Sequence, residues 1–238
     1  MFVRAKTSLP VWRIFAGAQR HDERELPDLL QRPAKQRRPR LVIFRGVRDG
    51  FNPLWPHREW LKTIFYSQLD RVVRSSPEPY FACHVRLGDF AISRTHAEIA
   101  AVNVRLPLEW YREQIRQLQR LFPRIPTIIF SDGDADELES LLILPNVHLA
   151  YNRQPLEDLL GLMRARCTIC SGSSFSAWGV FLGERPAIWY PGKVRQQFVG
   201  QLPENSYEIS AEDSLPPELV EAVRREVAGE EWGVRSEE

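Results

Sequence analysis

The sequence predicts an α/β protein built on a doubly wound, mostly parallel sheet. Three observations carry that prediction. From Tyr80 onward, short runs rich in β-branched and aromatic residues alternate with amphipathic segments of helical period, the pattern of βαβ units. Polar, small-residue clusters follow several of those runs, where sheets of this kind gather ligands. The 238 residues also suffice for one or two domains with a sizeable core.

The elements follow in order. Residues 1–17 carry Arg4, Lys6, Pro10 and Arg13 among their apolar positions, so they lack the uninterrupted apolar core of a secretory signal. Residues 18–40 are polar and Pro-punctuated, ending in Arg32, Pro33, Lys35, Arg37, Arg38, Pro39 and Arg40 without an intervening acid. That run reads as a solvated loop, or as an electrostatic contact to an anionic headgroup or substrate. Residues 41–44 suit a short buried strand. Residues 55–73 suit a helix, with Trp60, Leu61, Ile64, Phe65, Leu69 and Val72 at helical spacing, and Ser75-Ser76-Pro77-Glu78-Pro79 suits a linker. Beyond it, strands are expected at 80–85, 127–131, 147–150, 167–170 and 187–190. Helices are expected at 108–122, 135–142, 155–164 and 174–182, with a last one at 217–227 before a charged tail.

Composition narrows the function classes. With 43% hydrophobic and 26% charged residues the chain is an ordinary globular protein, which disfavours disorder. Lys+Arg of 32 against Asp+Glu of 31 leaves a net charge of +1, which removes the cation excess that nucleic-acid binding needs. No apolar run reaches the roughly 18 residues that cross a bilayer. Cys83, Cys167 and Cys170 are too few for a disulfide framework and fit a reducing compartment. The expected location is cytoplasmic, with the basic run as the element that would touch a membrane face.

Three clusters could carry chemistry. His84-Val85-Arg86-Leu87-Gly88-Asp89 follows the 80–85 strand. Alternation sends His84 and Arg86 to one side, Gly88 permits close backbone approach, and Arg86 can hold a phosphate bidentately. An Arg86–Asp89 salt bridge tying a loop is the plainer reading. Ser131-Asp132-Gly133-Asp134 closes the next strand: Asp134 suits a helix cap, and Asp132 suits either a cap or a nucleobase or ribose contact. Ser171-Gly172-Ser173-Ser174-Phe175-Ser176 lies between a strand and a helix, where orphan N–H groups and the helix dipole favour an anion. An ordinary serine cap is the alternative, although four serines in six positions exceed what a cap requires.

Other signals fall away. Cys167 and Cys170 have CxxC spacing, but i and i+3 of a strand face opposite sides and no second pair completes a metal site. The five histidines show no metal spacing, and neither GxGxxG nor GxxxxGK[ST] occurs, which excludes the usual nicotinamide and P-loop signatures. Gly172-Ser173-Ser174-Phe175-Ser176 lacks the second glycine of GxSxG, so a hydrolase is a remote alternative.

The segment from His84 to Phe90 resembles the HVRRGDY motif of alpha-1,2-fucosyltransferases, shared more loosely with alpha-1,6- and protein O-fucosyltransferases. Two later segments agree in order. Ile128-Ile129-Phe130-Ser131-Asp132 looks like the family's apolar strand ending in Ser-Asp, and the stretch from Asp158-Leu159-Leu160 to Cys170-Ser171-Gly172-Ser173-Ser174-Phe175-Ser176-Ala177-Trp178-Gly179 looks like its third motif. The resemblance covers about 81–182.

It implies a GT-B-like, two-lobed glycosyltransferase that transfers L-fucose from GDP-fucose to a glycan hydroxyl, with inversion and with neither metal nor cofactor. The implied lobes are a reduced acceptor-side lobe and linker at 1–79, a Rossmann-like nucleotide-sugar lobe at 80–205, and a C-terminal helix and tail at 206–238. Carried over by position, Arg86 would offset charge on the leaving diphosphate. His84, Gly88 and Ser131 would lie at the donor site, and Asp132 would recognise guanine. Ser173, Ser174 and Phe175 would hold the phosphates and wall the pocket, and Asp89 would orient or deprotonate the acceptor.

Residues 91–105, with Ser93, Arg94, Thr95 and His96, are expected near the acceptor. The chain departs from the family at Leu87, in place of a second arginine, at Ala177, in place of a tryptophan, and in lacking a GGLGNQ-type segment before Phe81. These departures keep two other readings in play: a non-catalytic sugar-nucleotide or glycan-binding module, and a glycosyltransferase with another donor.

Overall fold

The computed structural model describes residues 19–22, 25, 40–43, 50–69, 78–92, 96–99, 101–151 and 154–229. The expectations for residues 1–17, for the basic run at 32–39, for Ser75–Pro77 of the linker and for Ser93–Thr95 lie outside the described residues. The chain divides into two compact units, Met1–Arg48 and Asp49–Glu238. In the first, β1 (Gln19–Asp22) pairs in parallel with β2 (Arg40–Ile43), Gln19 opposite Arg40. A strand at β1 was not expected, because its Gln-Arg-His-Asp carries no apolar position to report it.

The second unit holds the doubly wound α/β fold. A 3₁₀ turn (Asn52–His57) leads into α1 (Arg58–Leu69). The single helix expected from residue 55 starts later as an α-helix because Pro53 and Pro56 withhold backbone donors at its beginning. Then come β3 (Phe81–Val85), α2 (His96–Ile99), α3 (Leu108–Leu121), β4 (Thr127–Ser131), α4 (Glu139–Leu142) and β5 (Val147–Leu149). They are followed by α5 (Pro155–Arg164), β6 (Cys167–Cys170), α6 (Ser174–Gly183), β7 (Ala187–Trp189), α7 (Lys193–Gln197), β8 (Ser206–Glu208) and α8 (Pro217–Ala228).

The sheet is parallel throughout, in the order β5-β4-β3-β6-β7-β8. Strand period sorts its two faces. Phe81, Cys83, Val85, Ile129, Cys167, Ile169 and Ile188 turn to the side covered by α3 and α8, where Trp110, Tyr111, Ile115, Leu219 and Val223 complete the core. Cys170, Ala187 and Trp189 turn to the other side, against α6, the 3₁₀ turn and α1. Cys167 and Cys170 are therefore unpaired core thiols on opposite faces, as i and i+3 on a strand require.

Helix α1 packs Leu61, Phe65 and Tyr66 into the second face, so the division at Arg48 and Asp49 falls before the 79/80 boundary suggested by the Ser/Pro stretch. At the other end β8 extends the sheet past residue 205 and α8 buries Leu219 and Val223, so 206–228 belongs to the same core. The helix expected at 135–142 is shortened to α4: Asp134 Oδ1 accepts from Glu137 N at 2.9 Å and holds the preceding residues in a turn. Asp134 thus caps this turn and not α4, whose N-cap is Leu138 without a side-chain bond.

Candidate functional site

The strand order reverses between β3 and β6. From β3 the chain adds β4 and β5 on one side, then crosses back to lay β6 and β7 on the other. That reversal opens a crevice outside the carboxyl ends of β3 and β6, the place where doubly wound sheets bind ligands. Two of the three polar clusters open into it: the loop after β3 carries Arg86, Gly88 and Asp89, and the loop after β6 carries Ser171 to Phe175. The third, after the adjacent β4, brings Asp132 to the same edge.

Asp132 ties two of these loops together. Its Oδ1 accepts from Leu87 N at 2.8 Å, and its Oδ2 pairs with Arg86 Nη1 at 2.9 Å. Arg86 Nη2 donates to Asp89 Oδ1 at 2.7 Å, and the guanidinium carbon lies 5.7 Å from the Phe90 ring centroid. The planar fork is thus held on two sides by carboxylates. Gly88 is dictated by this arrangement, since a Cβ there would stand 2.3 Å from Asp132 Oδ2. Asp89 is 74% exposed in its side chain, and it is the partner that solvent or a ligand can displace from Arg86 at least expense.

His84 lies deeper, at 6% exposure, with Nδ1 at 2.7 Å from Ser176 Oγ and 3.0 Å from Ser171 Oγ. Ser171 Oγ also meets Ser173 Oγ at 2.8 Å, and Ser173, the N-cap of α6, accepts from Ser176 N at 3.4 Å. Burial lowers the His84 pKa to about 4; Asp132 opposes that shift and Arg86 adds to it. The ring is neutral around pH 7, and the Phe175 ring stands 5.2 Å away. Ser174 is exposed at the first turn of α6 and makes no side-chain hydrogen bond among the described residues. Ser131 Oγ accepts from Gly133 N at 3.0 Å, which shapes the turn after β4.

The expected residues are therefore brought together, with a division of labour that residue types alone did not reveal. Ser171, Ser173 and Ser176 turn inward to His84, leaving Ser174 and the orphan N–H groups at the start of α6 facing outward. The two departures from the fucosyltransferase motifs are buried: Leu87 belongs to the core on the α3 side and Ala177 to the core on the α6 side. Lys193 and Gln197, which border the 171–173 turn, carried no motif in the sequence, because their approach depends on β7 lying next to β6. Among the described residues no group of His, Cys, Asp or Glu could hold a metal ion, and no helix is long and apolar enough to cross a membrane.

The chain matches no protein-family model and no curated protein sequence. It aligns with solved structures at low identity. ADP-heptose lipopolysaccharide heptosyltransferase II of E. coli is 17% identical over 73% of this chain and 53% of that one, with a TM-score of 0.42. POFUT1 in complex with GDP is 15% identical over 77% of this chain and 59% of that one, at 0.43. The glycotransferase of kitacinnamycin is 13% identical over 94% and 72%, at 0.40. The chain spans little more than half the length of the first two. These likenesses are of fold alone.

Proposed function

We propose that the chain is a glycosyltransferase that moves L-fucose from GDP-fucose to a glycan hydroxyl. The observation that supports this most is the convergence of the HxRxGD segment and the Ser-rich turn on one crevice, at the point where the strand order reverses. In this reading the diphosphate lies between Arg86 and the N-terminal turn of α6. There Ser174 and the backbone N–H groups of Ser174 and Phe175 donate to it and the helix dipole adds to the attraction. Neutral His84 lines the donor side, with Phe175 walling it.

The acceptor hydroxyl oxygen attacks the anomeric carbon as the bond from that carbon to the diphosphate oxygen breaks. The electron pair leaves with GDP, and the hydroxyl proton passes to Asp89. Arg86 stabilises the charge that grows on the leaving oxygen. Donor binding draws Arg86 from Asp89, which frees that carboxylate to act as the base.

Arg86→Ala is expected to lower transfer from GDP-fucose by roughly a hundredfold or more, as removal of a transition-state donor does. Its circular dichroism and melting should stay close to those of the parent. A variant that folds and keeps its transfer rate contradicts the assignment.

One observation favours a second reading, a glycosyltransferase with another nucleotide. Asp132, the residue expected at guanine, has one carboxylate oxygen on Leu87 N and the other on Arg86. It then aims Arg86 rather than reading a base, and the choice of nucleotide falls to other groups. A thermal shift larger with UDP or ADP than with GDP selects that reading.

A further inference from the structure

Lys193, the first residue of α7, is 1% exposed, and its ammonium makes no ion pair among the described residues. Its Nζ donates to the Ala101 carbonyl at 2.7 Å and to Gln196 Oε1 at 3.1 Å. Its stem lies along Gly172, where an added Cβ would stand 2.9 Å from Lys193 Cδ. One turn on, Gln197 Nε2 donates to the Gly172 carbonyl at 2.9 Å. Helix α7 therefore grips the 171–173 turn with two side chains and, through one of them, reaches beyond it to Ala101.

An ammonium buried against neutral acceptors is a poor way to fill space. A methionine of similar length would occupy the volume without desolvating a charge. What the lysine adds is reach ending in a donor. Ala101 lies just before the point where the segment after β3 closes: Ala91 N donates to the Asn103 carbonyl and Arg105 N to the Ala91 carbonyl, each at 2.9 Å. Arg105 in turn donates to Glu137 Oε1 at 3.0 Å and to the Phe90 carbonyl at 3.2 Å. The closing end of this segment is thus pinned by Arg105 to the loop after β4 and by Lys193 to the loops after β6 and β7.

We propose that Lys193 is a positioning residue that couples residues 101–105 to the 171–173 turn, so that a ligand seated on the turn also orders the segment bordering the crevice. The ligand half of this statement rests on the phosphate-binding role given to the turn under the proposed function, and the tether itself does not. The test is peptide-resolved hydrogen exchange on the full chain, with and without GDP, in the parent, Lys193→Met and Lys193→Arg.

Without nucleotide, Lys193→Met should exchange at 101–105 about tenfold faster than the parent while α3 and α5 are unchanged, and Lys193→Arg, which keeps a donor, should recover the slower rate. Parent-like exchange at 101–105 in Lys193→Met overturns the tether. So does uniform acceleration through α3 and α5, which would make Lys193 a core-filling residue. Saturating GDP should slow 101–105 in the parent by about threefold, and in Lys193→Met should protect 171–176 alone. Protection of 171–176 without 101–105 in the parent overturns the coupling. If GDP protects neither segment in the parent, the nucleotide reading fails, and the nucleotide-free comparison still decides the tether.

Discussion

His84 is held by neutral partners, and its chemistry follows from burial more than from its motif. Two serine hydroxyls meet Nδ1, and the pKa drops to about 4 from an ordinary value near 6.5. Between those values the unfolded chain takes up a proton that the native ring refuses, so native stability falls as pH falls from about 6.5 to about 4. The largest share His84 can contribute to that loss is about 3 kcal/mol. In His84→Gln this share is absent. Urea denaturation at about pH 7.5 and 4.5 should show the parent losing more stability than the variant; equal losses would place the ring elsewhere. The sequence placed His84 and Arg86 at the end of a strand, and β3 ends at Val85 between them. The Arg86–Asp89 pair was legible from its three-residue spacing; the hydroxyls around His84 and the second carboxylate on Arg86, Asp132, were not, because those partners come from elsewhere in the chain.

Helix α6 rests on α5 at glycines. A Cβ on Gly179 would come within 2.7 Å of Leu162 Cβ, and one on Gly183 within 2.8 Å of the Met163 backbone. In an open helix Gly→Ala stabilises by about 1 kcal/mol. At Gly183 the neighbour is backbone and cannot turn away, so Gly183→Ala should destabilise by about 1–3 kcal/mol. The check is a melting temperature lower by several degrees, and an unchanged or higher one would show that the helices are further apart.

Elements with buried apolar positions were legible: β4 and β6 as short β-rich runs, and α5 by its helical period, occupy the residues expected. Strand β8, Ser206–Glu208, was not, since an edge strand of Ser-Tyr-Glu has no apolar alternation. Nor were the roles of Gln114 and Gln117 on α3. Both are buried, and they donate from their amides to the Ser210 and Asp213 carbonyls at 3.1 and 2.9 Å, an arrangement visible only once the 209–215 segment is laid across the helix.

At the scale of the molecule, the decisive feature is the order of the strands. The sequence announced parallel βαβ units and three polar clusters but not which clusters would be neighbours, because that depends on β6 pairing with β3 across the intervening β4, β5 and α5. With that order, the loops after β3, β4 and β6 share one edge, and α7 after β7 closes on them through Lys193 and Gln197. In the function proposed above, this edge is a nucleotide-diphosphate site with Arg86 at its centre.

Calorimetric titration of GDP into the parent and Arg86→Ala tests it most directly. Binding to the parent should be saturable and one-to-one, with an affinity at least about tenfold lower in Arg86→Ala, the loss expected of one charge-assisted contact. Equal affinity in the two proteins, or no binding of GDP, UDP or ADP to the parent, would contradict it.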